Sequence, residues 1–264
     1  METIISKEQE FCNHEQLFKD KVVLDLACHD GESTKLIYEH GSKHIHAVEA
    51  RESLVAAARS RVPKGANFYV GDIQNPVLIE PLVEKSNCVV VLGVLYHLYN
   101  HFGFFNSILK PNIEYVLIET LAGSESLNPE MYWGFEKIDH RFAGWHDRVD
   151  IIPNGTPNIS WILNSADIFG FSCDYVNFYG RVYEKNKLNV TMEEYMAIRD
   201  SSWPDYNTFL SQKDTPKHIL EDIEKMLGDE NHPLTEKRVF LRLYNKKLIQ
   251  STPLQPEDIY IWKI

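Results

Sequence analysis

No stretch of this sequence is long and apolar enough to cross a bilayer. The longest hydrophobic run, Val89–Tyr96, falls far short of the roughly 20 residues a spanning helix needs. The opening METIISKEQEFCNHEQ lacks a cationic start followed by an apolar stretch, so no secretory leader is expected. Cysteine is sparse: Cys12, Cys28, Cys88 and Cys173 show no CxxC spacing, and three sit in or beside apolar runs, which predicts reduced core thiols. Basic residues are outnumbered, 27 Lys and Arg against 38 Asp and Glu, for a net charge of −11, and no basic cluster stands out. That weighs against a protein that tracks a nucleic-acid backbone and suits an enzyme of small molecules. There is no H-x-x-x-H or comparable spacing, so no metal is expected, although "EKIDHRFAGWHDRVD" gathers Asp139, His140, His146 and Asp147. Repeats and low-complexity tracts are absent. These absences predict a cytoplasmic protein without a membrane partner.

What the chain does contain is alternation. Val22–Leu26 is continuous, β-branched and holds Asp25 near its end, as a strand buried on both faces does. A helix over Ser33–His40 follows, closed by Gly41. His44–Glu49, Asn67–Val70, Cys88–Leu92 and Tyr115–Glu119 read as further strands, with helices at Arg51–Ser60 and Phe102–Leu109. This order predicts an α/β fold with a doubly wound, mostly parallel sheet. Trp161–Phe169 reads as helix, Cys173–Tyr179 as a sixth strand and Arg238–Tyr244, "RVFLRLY", as the seventh.

Between these elements the periodicity fails twice. Residues 122–160 are rich in Trp, Tyr, His, Gly and Pro, and a long aromatic loop of this kind usually forms a lid. Residues 182–236 read as a helical insertion before the last strand. It carries a capping box at Thr191–Glu194 and an amphipathic helix over Lys217–Leu227. One domain results: core 20–181 and 237–248, and a tail 249–264. The tail ends in "DIYIWKI", which would dock on the domain or on a partner chain and leaves monomer and homodimer both open.

Three short segments carry the chemistry. The first strand turns through Ala27-Cys28-His29-Asp30-Gly31 into a helix, where backbone comes close to a ligand and small residues are favoured. Glu49, followed by Ala50, ends the second strand about two dozen residues after Asp25, where a carboxylate accepts both hydroxyls of a ribose. In "VGDIQNP", Asp72 can accept from an adenine amino group while Ile73 packs on the ring. All lie at strand C-terminal ends, where open α/β sheets bind ligands.

This series resembles the class I S-adenosylmethionine-dependent methyltransferases, whose first turn reads D-x-G-x-G-x-G. Here Ala27 and His29 replace two of the glycines and Gly31 keeps the third. Alanine takes little room, and histidine is tolerated where its side chain points away from the cofactor. "LGVLYHL" followed by "LIETL" resembles the branch that contains the tRNA wobble-uridine carboxymethyltransferases, and the likeness spans roughly residues 21–179 and the last strand. The resemblance implies a seven-stranded Rossmann-like methyltransferase sheet and S-adenosylmethionine as cofactor. It places Asp25, Ala27, Cys28, His29, Asp30, Gly31, Glu49, Ala50, Asp72, Ile73 and Gly93 around the cofactor, and Tyr96 against its methionine end.

Methyl transfer from a sulfonium is an in-line displacement, and a hydroxyl or protonated amine acceptor needs a general base. His97, Glu119, His140 and His146 are candidates beside Tyr96. Tyr132, Trp133, His140 and Trp145 would line an acceptor pocket or pack the lid on the sheet. Three functions follow: transfer to a small-molecule or sugar-like acceptor, modification of RNA, or nucleoside binding without turnover. The second, with carboxy-S-adenosylmethionine, requires a basic residue opposite Tyr96, for which Arg141, Arg148 and Arg181 are available.

Overall fold

The computed structural model describes residues 11, 13–62, 64–121, 127–137, 151–183 and 234–254. Two compact units divide the chain: residues 1–179 with 237–264, and residues 180–236, nearly all of which lie outside the described set. The insertion helices, Cys12, His140, Trp145, His146, Arg141, Arg148 and the DIYIWKI end also lie outside it.

The first unit is built on parallel strands β1 (Val22–Leu26), β2 (His44–Glu49), β3 (Ala66–Val70), β4 (Cys88–Leu92) and β5 (Tyr115–Leu121). β8 (Phe171–Tyr183) and β9 (Leu234–Asn245) complete the seven-stranded sheet, in the order β3-β2-β1-β4-β5-β9-β8, with β9 antiparallel to β5. All seven expected strands are present. The order reverses direction between β1 and β4, which opens a crevice beyond the C-terminal ends of those two strands.

Each face of the sheet is covered. Leu24, Leu26, Val48, Val89 and Val91 pack under α3 (Pro76–Val83), α4 (His101–Ile108) and α5 (Ile159–Ile168). Val23, Ile45, Ala47 and Val90 pack under α1 (Glu32–Glu39) and α2 (Glu52–Arg61), joined by Phe11 and Phe18. Double coverage explains why β1 and β4 read as continuous apolar runs rather than alternating ones. Cys28, Cys88 and Cys173 are free and buried as expected, and burial pushes the Cys88 and Cys173 thiols up to about 12.

Two features were missed. α3 begins at Asn75-Pro76, where the Asn75 carboxamide accepts from the Val77 amide. That cap and first-turn proline are a helix start signal that "DIQNP" contains. Within 122–160, an antiparallel hairpin pairs β6 (Met131–Lys137) with β7 (Ile151–Pro157), so this stretch is not simply a loop. Gly134, Pro153 and Pro157 obscured it. A two-stranded sheet leaves one edge of each strand unpaired, and there a proline costs no ladder bond.

Between the last two strands of the sheet, Arg242 Nε of β9 donates to Asp174 Oδ1 of β8 at 2.8 Å, with the carboxylate side chain only 6 % exposed. Ser251 Oγ donates to the other oxygen, and the Leu254 amide donates to the Cys173 carbonyl, so the first residues of the tail dock on β8. Asp174→Ala leaves a shielded guanidinium unpaired and is expected to cost about 3 kcal/mol, read as a lower urea midpoint.

Candidate functional site

The turn after β1 has the conformation that its glycine pattern would require, with only one of the glycines. Ala27, His29 and Gly31 lie at φ 58°, 54° and 84°, all left-handed. Between them, the Cys28 amide donates to the Val48 carbonyl and the Gly31 amide to the Cys28 carbonyl. Ala27 and His29 each carry about 1–2 kcal/mol of strain that glycine would not. His29 is 60 % exposed at its side chain, so the imidazole points out of the turn. Gly31 is needed for a second reason. A Cβ there would sit 2.8 Å from Ala58 Cβ and 2.9 Å from Ala58 Cα, so the turn lies directly on α2.

Three acidic side chains share one face at the C-terminal edge. Register places Asp25 beside Val90, and Leu92, two residues further along β4, beside Glu119. Asp25 likewise pairs with Ala47, two residues before Glu49. All three are at most 3 % exposed. Their hydrogen bonds differ. Asp25 Oδ2 accepts from Ser33 Oγ at 3.0 Å and Thr34 Oγ1 at 2.7 Å, which anchors the first turn of α1 to β1. Glu49 Oε2 accepts from the His29 amide at 3.1 Å, and Oε1 accepts from the Arg51 amide at 3.1 Å and Arg51 Nε at 2.8 Å. An ionised carboxylate has about four acceptor positions, so Glu49 keeps one open, and a second opens when Arg51 Nε withdraws. Burial, then Asp25 and Glu49, push the Cys28 thiol far up, so it stays protonated and is no nucleophile.

Asp30 is half-buried and pairs with Arg61 of α2 at 2.5 Å and His29 Nδ1 at 3.4 Å. Burial alone would raise its carboxyl, but the His29 hydrogen bond and Arg61 prevail and hold it below the usual range. Ala50 is half-buried just past β2.

The loops after β3 and β4 are laced together. Asp72 Oδ1 accepts from the Gln74 amide, and Gln74 Oε1 accepts from the Tyr99 and Asn100 amides at 3.2 and 3.0 Å. Burial and Asp72 raise the Tyr99 phenol. Ile73 is 6 % exposed and belongs to the core, with its neighbour Asp72 only partly covered. Gly93, at φ 67°, donates its amide to the Glu119 carbonyl, which joins the ends of β4 and β5. Tyr96 and His97 follow in a single 3₁₀ turn, Leu95–His97, half-buried with ring centroids 4.4 Å apart.

β7 packs against this turn. On β6, Tyr132 and Trp133 are 49 % and 62 % exposed, and the Tyr132 hydroxyl donates to Glu130. The five segments read from the sequence lie at this edge, but Ser33, Thr34, Arg51, Gln74 and Tyr99 were missed: Gln74 and Tyr99 meet 25 residues apart, and for Ser33, Thr34 and Arg51 nothing local tells a partner of Asp25 or Glu49 from a solvated side chain. No group of three metal-ligating side chains occurs among the described residues. An open groove of about 500 Å³ lies elsewhere, along β3 and α2, lined by Arg59, Asn67 and Tyr69 among others, and includes no candidate residue.

Two buried histidines give the protein a pH dependence. Burial, then His44 and Lys85, lower the pKa of His46, which shares a hydrogen bond with Tyr69 Oη; burial lowers that of His101. A histidine depressed in the folded state binds fewer protons than the unfolded chain, so stability falls as pH drops below about 6.5. Melting temperature is expected to fall between pH 7.5 and pH 5.5, with a shallower slope in His46→Gln.

No family model and no curated protein matches the chain. Solved structures do. An S-adenosylmethionine-dependent methyltransferase from Mesorhizobium loti aligns at TM-score 0.52 and 14 % identity over 90 % of this chain and 98 % of its own. The chain has the Rossmann-like methyltransferase fold. A Pyrococcus horikoshii protein provisionally named an RNA methyltransferase aligns at TM-score 0.52 and 10 % identity, over 92 % of this chain and 83 % of its own. The [4+2]-cyclase SpnF aligns at TM-score 0.55 and 11 % identity, over 90 % and 80 %. A cyclase among the neighbours means that the fold by itself does not name the reaction, and none of these three neighbours singles out the wobble-uridine branch.

Proposed function

We propose that this protein binds S-adenosylmethionine at the C-terminal edge of the sheet and transfers its methyl group to a small-molecule acceptor. The observation that carries the reading is the turn: three left-handed residues at the positions of the D-x-G-x-G-x-G glycines, with Glu49 bonded to its centre. A chain holds strained non-glycine residues in that conformation when the surroundings over-determine it, and such strain gathers at ligand sites. In this reading the backbone of Ala27–Gly31 lies along the nucleoside. Glu49 takes one ribose hydroxyl as it stands and the second when Arg51 Nε releases Oε1. Asp72 and Ile73 hold the adenine, and Gly93 and Tyr96 flank the methionine end.

S-adenosylmethionine, when bound, supplies an electrophilic methyl. The chain supplies alignment and proton removal. His97 or Glu119 accepts the acceptor's proton, and Tyr132 and Trp133 offer exposed ring faces for an acceptor with a flat or sugar-like surface. His140, Trp145 and His146 are assigned to the acceptor side on the sequence alone. The acidic composition favours a small molecule over RNA.

Calorimetric titration with S-adenosylmethionine, S-adenosylhomocysteine, carboxy-S-adenosylmethionine and NAD tests this. Micromolar binding of the first two and none of NAD is expected. Preference for the carboxylated cofactor, with salt-sensitive tRNA binding, would move the assignment to carboxymethyl transfer on RNA. Binding without turnover across a broad acceptor panel would make the chain a nucleoside sensor. Absence of binding to every sulfur ligand would sink the cofactor reading.

A further inference from the structure

One buried residue connects the Leu95–His97 turn, the hairpin and α5. His101, in the first turn of α4, is 3 % exposed. Its Nε2 lies 2.8 Å from the Leu95 carbonyl, and since a carbonyl only accepts, Nε2 carries the proton. The other nitrogen, Nδ1, has no hydrogen bond of good geometry and lies beside the Gly155 backbone of β7. The approach is close: a Cβ on residue 155 would stand 3.0 Å from His101 Cε1 and 2.8 Å from Met131 Sδ, so β7 lies directly against the imidazole. The Gly155 amide donates to the Leu98 carbonyl, just past the turn. Trp133 of β6 and Trp161 of α5 meet the imidazole at 81° and 78°, with centroids 6.1 and 5.7 Å away.

We propose that His101 is a positioning residue. Its Nε2–H bond to Leu95 sets the turn that aims Tyr96 and His97, and its ring seats the β6–β7 hairpin against that turn, so cofactor side and acceptor side keep one fixed relation. The link to cofactor and acceptor rests on the proposed function; the mechanical role of His101 does not. A histidine suits this place for geometric reasons. Phenylalanine fills the same volume but leaves the buried Leu95 carbonyl only the longer, 3.2 Å bond from the Leu98 amide. Glutamine can carry an N–H to the Nε2 position, whereas asparagine reaches only the position of Nδ1.

The test is amide hydrogen exchange on the full chain with His101→Phe, His101→Gln and His101→Asn, together with S-adenosylhomocysteine titration. His101→Phe and His101→Asn are expected to speed exchange at His97, Leu98 and Gly155 about tenfold, the effect of losing one buried hydrogen bond. Exchange in β1 and β2 should not change, and His101→Gln should restore most of the protection. The same two variants should weaken S-adenosylhomocysteine about tenfold, with His101→Gln near wild type. Unchanged exchange at the three amides in His101→Phe would overturn the proposal. So would a uniform rise that reaches β1 and β2 and that His101→Gln shares, since that marks a core residue only. If the wild-type protein fails to bind S-adenosylhomocysteine, the cofactor reading falls alone and the exchange data still decide the role of His101.

Discussion

Glu49→Ala will lower affinity for S-adenosylhomocysteine about a hundredfold, the worth of one to two hydrogen bonds to a charged acceptor. The same substitution will destabilise the protein by about 3 kcal/mol, because it leaves Arg51 and the His29 amide facing a buried gap. The two effects separate in Arg51→Ala. Removing that side chain costs the ion pair but frees Oε1 for the ribose, so affinity should stay within about threefold of wild type or improve. Titration below the melting temperature of each variant, with urea curves alongside, distinguishes them. If Glu49→Ala binds like wild type, Glu49 is a clasp for the turn and the ribose is held elsewhere.

The second large effect concerns substitutions of opposite sign within one turn. Gly31→Ala should cost about 3 kcal/mol: roughly 1–2 from a left-handed alanine and a similar amount from pushing α2 away at Ala58. Ala27→Gly and His29→Gly should instead stabilise by about 0.5 kcal/mol each. Relief of about 1–2 kcal/mol of strain is partly offset by the greater freedom of glycine in the unfolded chain. For a chain of this size that is a rise of about 1 °C in melting temperature per site. Cofactor affinity should hold in both glycine variants, since the backbone keeps its course. A loss of stability on restoring these glycines would mean that Ala27 and His29 make side-chain contacts worth more than the strain.

Local pattern was enough for the sheet. Val22–Leu26 and Cys88–Leu92 are continuous β-branched runs that only burial on both faces accommodates, and Gly41 and Pro111 mark where the chain must turn. The order of these elements then fixes a parallel, doubly wound arrangement with few alternatives. It also puts Asp25, Glu49, Asp72, Gly93 and Glu119 at one edge, because strands that run in parallel end together. What each of those residues does there was not legible. Asp25 holds Ser33 and Thr34 of the following helix, and nothing in "LDLAC" distinguishes that from contact with a ligand.

The hairpin was hidden for a related reason. Its prolines argue against a strand unless the neighbouring edge is known to carry no further strand, and only the pairing reveals that. Gln74 gathers two amides 25 and 26 residues away, and His101 joins the Leu95 carbonyl, Gly155 and two tryptophans from separate elements. The sequence by itself determined the sheet, its faces and the edge where a nucleoside would lie, since hydrophobic periodicity and turn chemistry act over a few residues. Tertiary structure alone decided that the turn keeps the shape of a glycine loop with only one of its glycines, and which carboxylate is bonded to it. Those features are set by contacts between residues distant along the chain, whose energies no local pattern records.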